Sequence, residues 1–212
     1  ARVAPRLAPD PDALPPTRFG ERLPAWQKAE WPTELRAVGV HVHLHGYSEA
    51  DRRTALAEAI ALVEHVRALG QPADFIDIGG GVPMSYLESR EQWEYYLERI
   101  ASQRAGTGEP FTWKSDPLSN TYPFWQEPTR GQWLDQLLSG EVPSYGTAGT
   151  ALRERDIALH LEPGRSLLDD CGVILTEVSF LKERSDGLPL IGVAMNRTQC
   201  RTAADDILLD PL

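Results

Sequence analysis

Lysine is scarce in this chain, cysteine scarcer still, and no apolar run is long. Cys171 and Cys200 are the two cysteines, too few for a disulfide framework and without metal-type spacing, so a reducing cytoplasm is the expected surrounding. No stretch approaches the roughly 20 apolar residues of a membrane span. The opening residues, Ala1-Arg2-Val3-Ala4-Pro5-Arg6-Leu7, lack the charged-then-apolar order of a signal peptide. Positive charge is the other shortage. Lys and Arg number 21 against 31 Asp and Glu, for a formal net charge of -10. A nucleic-acid backbone calls for clustered cations, so no such partner is expected, and acidic balance of this size serves solubility. The only lysines are Lys28, Lys114 and Lys182. With no initial Met and a start inside an alternating stretch, the chain reads as a piece of something longer.

What is present is a β/α grammar. The run from Pro9 to Pro16 excludes any regular element. Beyond it, a short amphipathic stretch lies around 25–30. Residues 35–44 read as a strand, and Ser48-Glu49-Ala50-Asp51 reads as a helix N-cap with acidic residues in its first turn. Leu56, Ile60, Val63 and Val66 then recur at helical spacing until Gly70 closes the helix. A strand at 75–78 and a helix over 85–101 follow, the latter with Tyr86, Trp93, Tyr96, Leu97 and Ile100 on its apolar side. The segment 106–128 breaks the pattern; its aromatics, Trp113, Tyr122, Phe124 and Trp125, favour an ordered lid over a disordered loop. Short helices at 131–138 and 148–155 and a strand at 157–161 resume it. From Cys171 onward, 173–181 and 188–194 read as consecutive strands with no helix between them. The expected architecture is α/β: part of a (β/α)8 barrel over 1–171, with an insertion at 106–150, then the incomplete start of a β domain over 172–212.

Three places can carry chemistry. Phe75-Ile76-Asp77-Ile78-Gly79-Gly80-Gly81-Val82-Pro83 is a buried strand that breaks into three glycines, where backbone N–H groups can cradle an anion such as a phosphate. His41, His43 and His45 alternate with Val40, Val42 and Leu44, so period two puts the imidazoles on one face of a strand. Such a face can bind zinc, with His160 and Asp77 as further candidate ligands; it can stack on an aromatic cofactor ring; or its histidines can simply satisfy local hydrogen bonds. Glu162-Pro163-Gly164-Arg165 follows a strand directly. Its carboxylate can hold a proton on a ring nitrogen and its guanidinium can meet a phosphate or carboxylate, unless the two form only a structural ion pair at a barrel rim. Together these demands describe one ligand, a phosphorylated ring with a protonated nitrogen, and pyridoxal phosphate meets each of them.

The motifs Val38-Gly39-Val40-His41-Val42-His43, Asp77-Ile78-Gly79-Gly80-Gly81 and Glu162-Pro163-Gly164-Arg165-Ser166 resemble those of the ornithine/diaminopimelate/arginine decarboxylases, which have an alanine-racemase-like barrel plus a β domain. Thr17-Arg18-Phe19-Gly20 resembles the family's Ser-Lys-Phe-Gly element, Cys171-Gly172 its crossover, and Ala194-Met195-Asn196 its Gly-Met-Asn segment. The resemblance implies that His43 stacks on the cofactor ring and that Gly79, Gly80 and Gly81 bind its phosphate with Gly164 and Arg165. It further implies that Glu162 holds the pyridine nitrogen protonated, that Arg165 also contacts substrate, and that no metal takes part. The reaction implied is loss of an amino acid's α-carboxylate, in a homodimer. The family's Schiff-base lysine ends the first barrel strand, and no lysine here follows an apolar strand; its catalytic Cys lies further along the β domain than Cys200. The piece by itself is therefore expected to be inactive. The family's His-Ile-Gly-Ser corresponds to His43-Leu44-His45-Gly46-Tyr47-Ser48, which leaves Ser48 a weak candidate for the phosphate. Two rivals remain: a zinc-dependent barrel hydrolase using His41, His43 and His45, and a non-catalytic homologue acting through dimerisation.

Overall fold

The computed structural model describes residues 1–113, 116–117, 123–168 and 171–196. In chain order its elements are β1 (Arg2–Val3), α1 (Leu23–Lys28), β2 (Arg36–Ala37), β3 (Gly39–His41), α2 (Glu49–Ala68), β4 (Phe75–Asp77) and α3 (Arg90–Ala105). There follow β5 (Thr112–Trp113), β6 (Asp116–Pro117), α4 (Arg130–Ser139), β7 (Glu141–Val142), β8 (Gly146–Thr147), α5 (Ala148–Glu154), β9 (Ala158–His160), α6 (Arg165–Leu168), β10 (Val178–Glu183) and β11 (Pro189–Val193). The described residues fall into two compact units, one of 1–84 with 126–167, the other drawn from 85–125 and 168–196.

The first unit is a segment of parallel β/α barrel. Strands β3, β4 and β9 form a parallel sheet in which β4 is central; β1 pairs in parallel with β2, and Arg6 bridges to His41. The register sets Val40, Ile76 and Leu159 in one row and His41, Asp77 and His160 in the next. Alternation therefore sends the aliphatic row to one face and the polar row to the other. Val40 and Ile76 are wholly buried, packed among Leu56, Ile60, Val63 and Val66 of α2. Ser48 caps α2, its hydroxyl accepting from the Asp51 N–H at 3.1 Å, which satisfies one of the orphan donors of the first turn. Gly70, at φ +79°, ends the helix as expected. On the polar face, Phe75 stacks on His160 with ring centroids 4.4 Å apart. Gly39 leaves room for that ring, since a Cβ there would stand 2.5 Å from it.

The segment expected as an insertion divides. Its later part contributes Trp133, Leu137, Val142 and Ala148 to the core of the first unit, with the Trp133 indole donating to the Tyr47 carbonyl at 2.8 Å. Of its aromatics, Phe124 is buried, the Trp113 side chain and Tyr122 lie outside the described residues, and Trp125 is half-buried.

In the second unit α3 begins at Arg90 rather than near Ser85, because Ser89 makes a capping box with Gln92 there; Tyr86 precedes the helix. Tyr96 and Ile100 are buried, but Leu97 is 46% exposed and so does not belong to the apolar side assigned to it. The strands expected over 173–181 and 188–194 form the antiparallel pair β10–β11, shorter at its start since 173–177 take no strand. Its turn is held by an Arg184–Asp186 ion pair.

Candidate functional site

The row His41, Asp77 and His160 ends three parallel strands at their C-terminal edge, the side on which sites of parallel α/β folds are built. Pairing runs a little past each strand: the Val42 N–H donates to the Asp77 carbonyl at 2.8 Å, the Ile78 N–H to the His160 carbonyl at 3.1 Å and the Glu162 N–H to the Gly79 carbonyl at 2.9 Å. These bonds bring the glycine turn and the Glu162 turn together.

His43 lies beyond the end of β3, as does His45. The chain leaves the strand after His41 and turns at Gly46, at φ +86°, so three imidazoles on one strand face do not form. Instead the His43 Nδ1 stands 3.3 Å from the Glu162 carboxylate, and ligand-type atoms of His41, His43 and Glu162 all fall within 4.8 Å of one another. His45 is exposed and outside that group, and His160 is engaged with Phe75. Burial pushes the His41 imidazole below its ordinary pKa, against the opposing charge of Asp77. The His41 Nε2 is buried without a hydrogen-bond partner.

The glycine turn is packed against its neighbours. A Cβ on Gly79 would stand 2.5 Å from the His43 Nδ1, and one on Gly80 2.9 Å from the Glu162 carbonyl; on Gly81, at φ +78°, it would strike the Arg52 guanidinium and the Gly46 carbonyl. The Gly79 N–H donates to the Asp77 carboxylate at 2.8 Å. Among the described residues, the Gly80 and Gly81 N–H groups meet no acceptor. A cavity of about 380 Å³ opens beside them, lined by Arg6, Phe19, His43, Gly46, Tyr47 and Gly81. Two amide donors without an acceptor at a glycine turn suit an anion, and the adjoining imidazole and carboxylate suit a ring with a basic nitrogen. These residues fit pyridoxal phosphate.

Gly164 is in the left-handed region, at φ +54°, with open space where a Cβ would be, and Arg165 is exposed at the start of α6. The Ser48 hydroxyl is occupied as the helix cap. Lys28 ends α1 and Lys182 lies in β10, while Lys114 and Cys200 fall outside the described residues. Arg6 and Arg52 are the residues that motif reading misses, while Phe19 stands in the Thr17-Arg18-Phe19-Gly20 motif, which assigns it no part in the site. The ring of Phe19 carries the Arg6 and Arg18 guanidiniums, each 4.8 Å from its centroid; only Arg18 is its neighbour in the sequence.

Fold and site together define a pyridoxal-binding β/α barrel segment. Residues 17–111 match the pyridoxal binding domain of the pyridoxal-dependent decarboxylases. The chain is 30% identical over 180 residues to the uncharacterized protein y4yA of Sinorhizobium fredii, covering 84% of this chain and 38% of that one. It is 24% identical to the diaminopimelate decarboxylase of Neisseria meningitidis, covering 92% and 41%. In fold it is similar to the diaminopimelate decarboxylase of Helicobacter pylori, solved with L-lysine, at a TM-score of 0.51 and 18% identity over 93% of this chain and 41% of that one. These likenesses are to the pyridoxal-dependent decarboxylases and, within the chain, to their pyridoxal binding domain. The chain spans about two fifths of the length of these relatives.

Proposed function

We propose that this chain forms the cofactor-holding face of a pyridoxal-phosphate-dependent decarboxylase that removes the α-carboxylate of an amino acid. The observation that carries the reading is the pair of unpartnered amides at Gly80 and Gly81, beside a cavity that also holds His43, with Glu162 in contact with that imidazole. Bound there, the cofactor supplies the electron sink into which the leaving carboxylate's electrons pass. The chain's own residues bind and orient it: His43 packs on the ring, Glu162 keeps the ring nitrogen protonated, the Gly79–Gly81 turn and Gly164 hold the phosphate, and Arg165 reaches phosphate or substrate carboxylate. Diaminopimelate-like substrates are favoured over ornithine by the Ala194-Met195-Asn196 segment and by the likeness to the Neisseria protein. The working protein is read as a cytoplasmic homodimer, with residues 172–212 opening its β domain. None of the described residues Lys28 and Lys182 stands at the glycine turn or lines its cavity, so this piece is expected to bind the cofactor without turning substrate over.

Titration with pyridoxal phosphate, followed by borohydride reduction and peptide mapping, tests this. Saturable binding that Glu162→Gln weakens, with no lysine labelled stoichiometrically, is the expected result. Absence of saturable binding would overturn the cofactor reading, and full labelling of Lys28, Lys114 or Lys182 would overturn the assignment of the lysine. A zinc site is a second reading, supported by the grouping of His41, His43 and Glu162 and by the neutral imidazole that burial favours at His41. Near-stoichiometric zinc in the purified protein, displaced by neither phosphate nor pyridoxal phosphate, would favour it.

A further inference from the structure

Arg52 is, among the described residues, the only charged side chain that is buried, at 1% exposure. Helical spacing in α2 gives no reason for a charge there, between Asp51 and Arg53 on a solvated first turn. Yet the guanidinium passes under the glycine turn. Its Nη2 donates to the Gly80 carbonyl at 2.6 Å and to the Gly46 carbonyl at 3.0 Å, and its Nη1 to the Ser48 carbonyl at 3.0 Å. It lies over the Trp133 ring at 5.3 Å. All of these partners are neutral, the Nε is buried without an acceptor, and among the described residues no carboxylate forms an ion pair with it, although the charges of Asp51 and Glu49 favour it from a distance. A buried guanidinium that spends its donors on backbone carbonyls holds the peptides that carry them.

The direction of its hydrogen bonds sets how those peptides face. In a trans peptide the C=O and N–H point oppositely. Pulling the Gly80 carbonyl inward therefore turns the Gly81 N–H outward, and Gly81 lines the cavity. We propose that Arg52 is the positioning residue of the phosphate cradle: it fixes the Gly80–Gly81 peptide with its amide toward the cavity and sets a buried positive charge behind it. It touches carbonyls rather than the anion, so it acts through the turn. This rests on the reading of the cavity as the phosphate end of the cofactor site.

The test compares pyridoxine 5′-phosphate with pyridoxine, which carry the same ring, lack the aldehyde that would react with lysine, and differ in the phosphate alone. Binding is measured by ring fluorescence with the chain as it stands, alongside its circular dichroism and unfolding midpoint. The native chain is expected to prefer the phosphate ester. Arg52→Met should weaken the ester about tenfold, the loss of one charge-assisted contact set, while affinity for pyridoxine stays within about twofold. Arg52→Lys keeps the charge but not the fork; it should fold even if the methionine variant does not, and lose about threefold, again for the ester alone. Equal loss for both ligands, or no loss for either, would overturn the proposal and leave Arg52 a structural residue only. A native chain that binds pyridoxine and its phosphate alike would overturn the phosphate reading of the cavity and the proposal with it, whereas ester preference kept in both variants would overturn the proposal alone.

Discussion

The turn after β4 and the turn after β9 both put glycine in the left-handed region, at Gly81 with φ +78° and at Gly164 with φ +54°, but they are held differently. Around Gly79–Gly81 a Cβ meets His43, the Glu162 backbone, the Gly46 carbonyl or Arg52, so all three are glycine for want of space, and Gly79 and Gly81 for backbone angle as well. Around Gly164 there is open space, and only the angle requires glycine. The first turn is built and braced from beneath by a buried guanidinium. The second presents its groups outward, with Arg165 and Glu162 both exposed. A site assembled this way has one preset wall for the phosphate and one wall whose side chains settle on the ligand.

The sharpest break of that contrast is Gly81→Ala. Steric conflict with backbone and a buried cation adds to the strained angle, so a loss of about 2–3 kcal/mol is expected, read as a fall in the urea midpoint together with loss of pyridoxal phosphate binding. Gly164→Ala meets only the angle, and about 1 kcal/mol is expected. Were the two substitutions to cost the same, the distinction between a packed and an open turn would fail. A smaller effect is predicted for Glu162→Gln. The His43–Glu162 contact joins side chains 40% and 52% exposed, so the unfolding midpoint should hold within about 0.5 kcal/mol, while binding of the pyridinium form of the cofactor weakens; a large stability loss would make Glu162 structural rather than a ligand group.

The finest test uses pH. Burial lowers the His41 pKa below its ordinary 6.5, so the unfolded chain binds more protons than the folded one between the folded value and 6.5. This contribution to stability is therefore full above pH 6.5 and is lost as pH falls through that window. His41→Gln should flatten the decline of the unfolding midpoint between neutral and mildly acid pH; a slope unchanged by the substitution would show that other groups carry it.

Much of this was legible beforehand because it is local. Helix α2 follows from a Ser cap, acidic first-turn residues, a repeating apolar face and a closing glycine, all within 23 residues (48–70). The strand before Gly79 and the turn itself follow from an apolar run broken by glycines, and the three motifs carry the resemblance to the decarboxylases before any packing is considered. Period two rightly set Val40 inward and His41 on the opposite face. It was extended too far at His43 and His45, because where a strand stops depends on its partner: pairing with β4 ends one residue past His41.

What sequence alone could not supply is the content of the interior. Whether 126–152 stands outside the barrel or joins its core is settled by Trp133, Leu137 and Val142 finding α2, residues about 70 to 80 positions away along the chain. Arg52 looks like any charge on a helix's first turn until the glycine turn, 28 residues later, closes over it. A composition of residues fixes which groups can bond; only the fold determines which carbonyls a buried guanidinium must satisfy, and hence which amides are left facing the cavity.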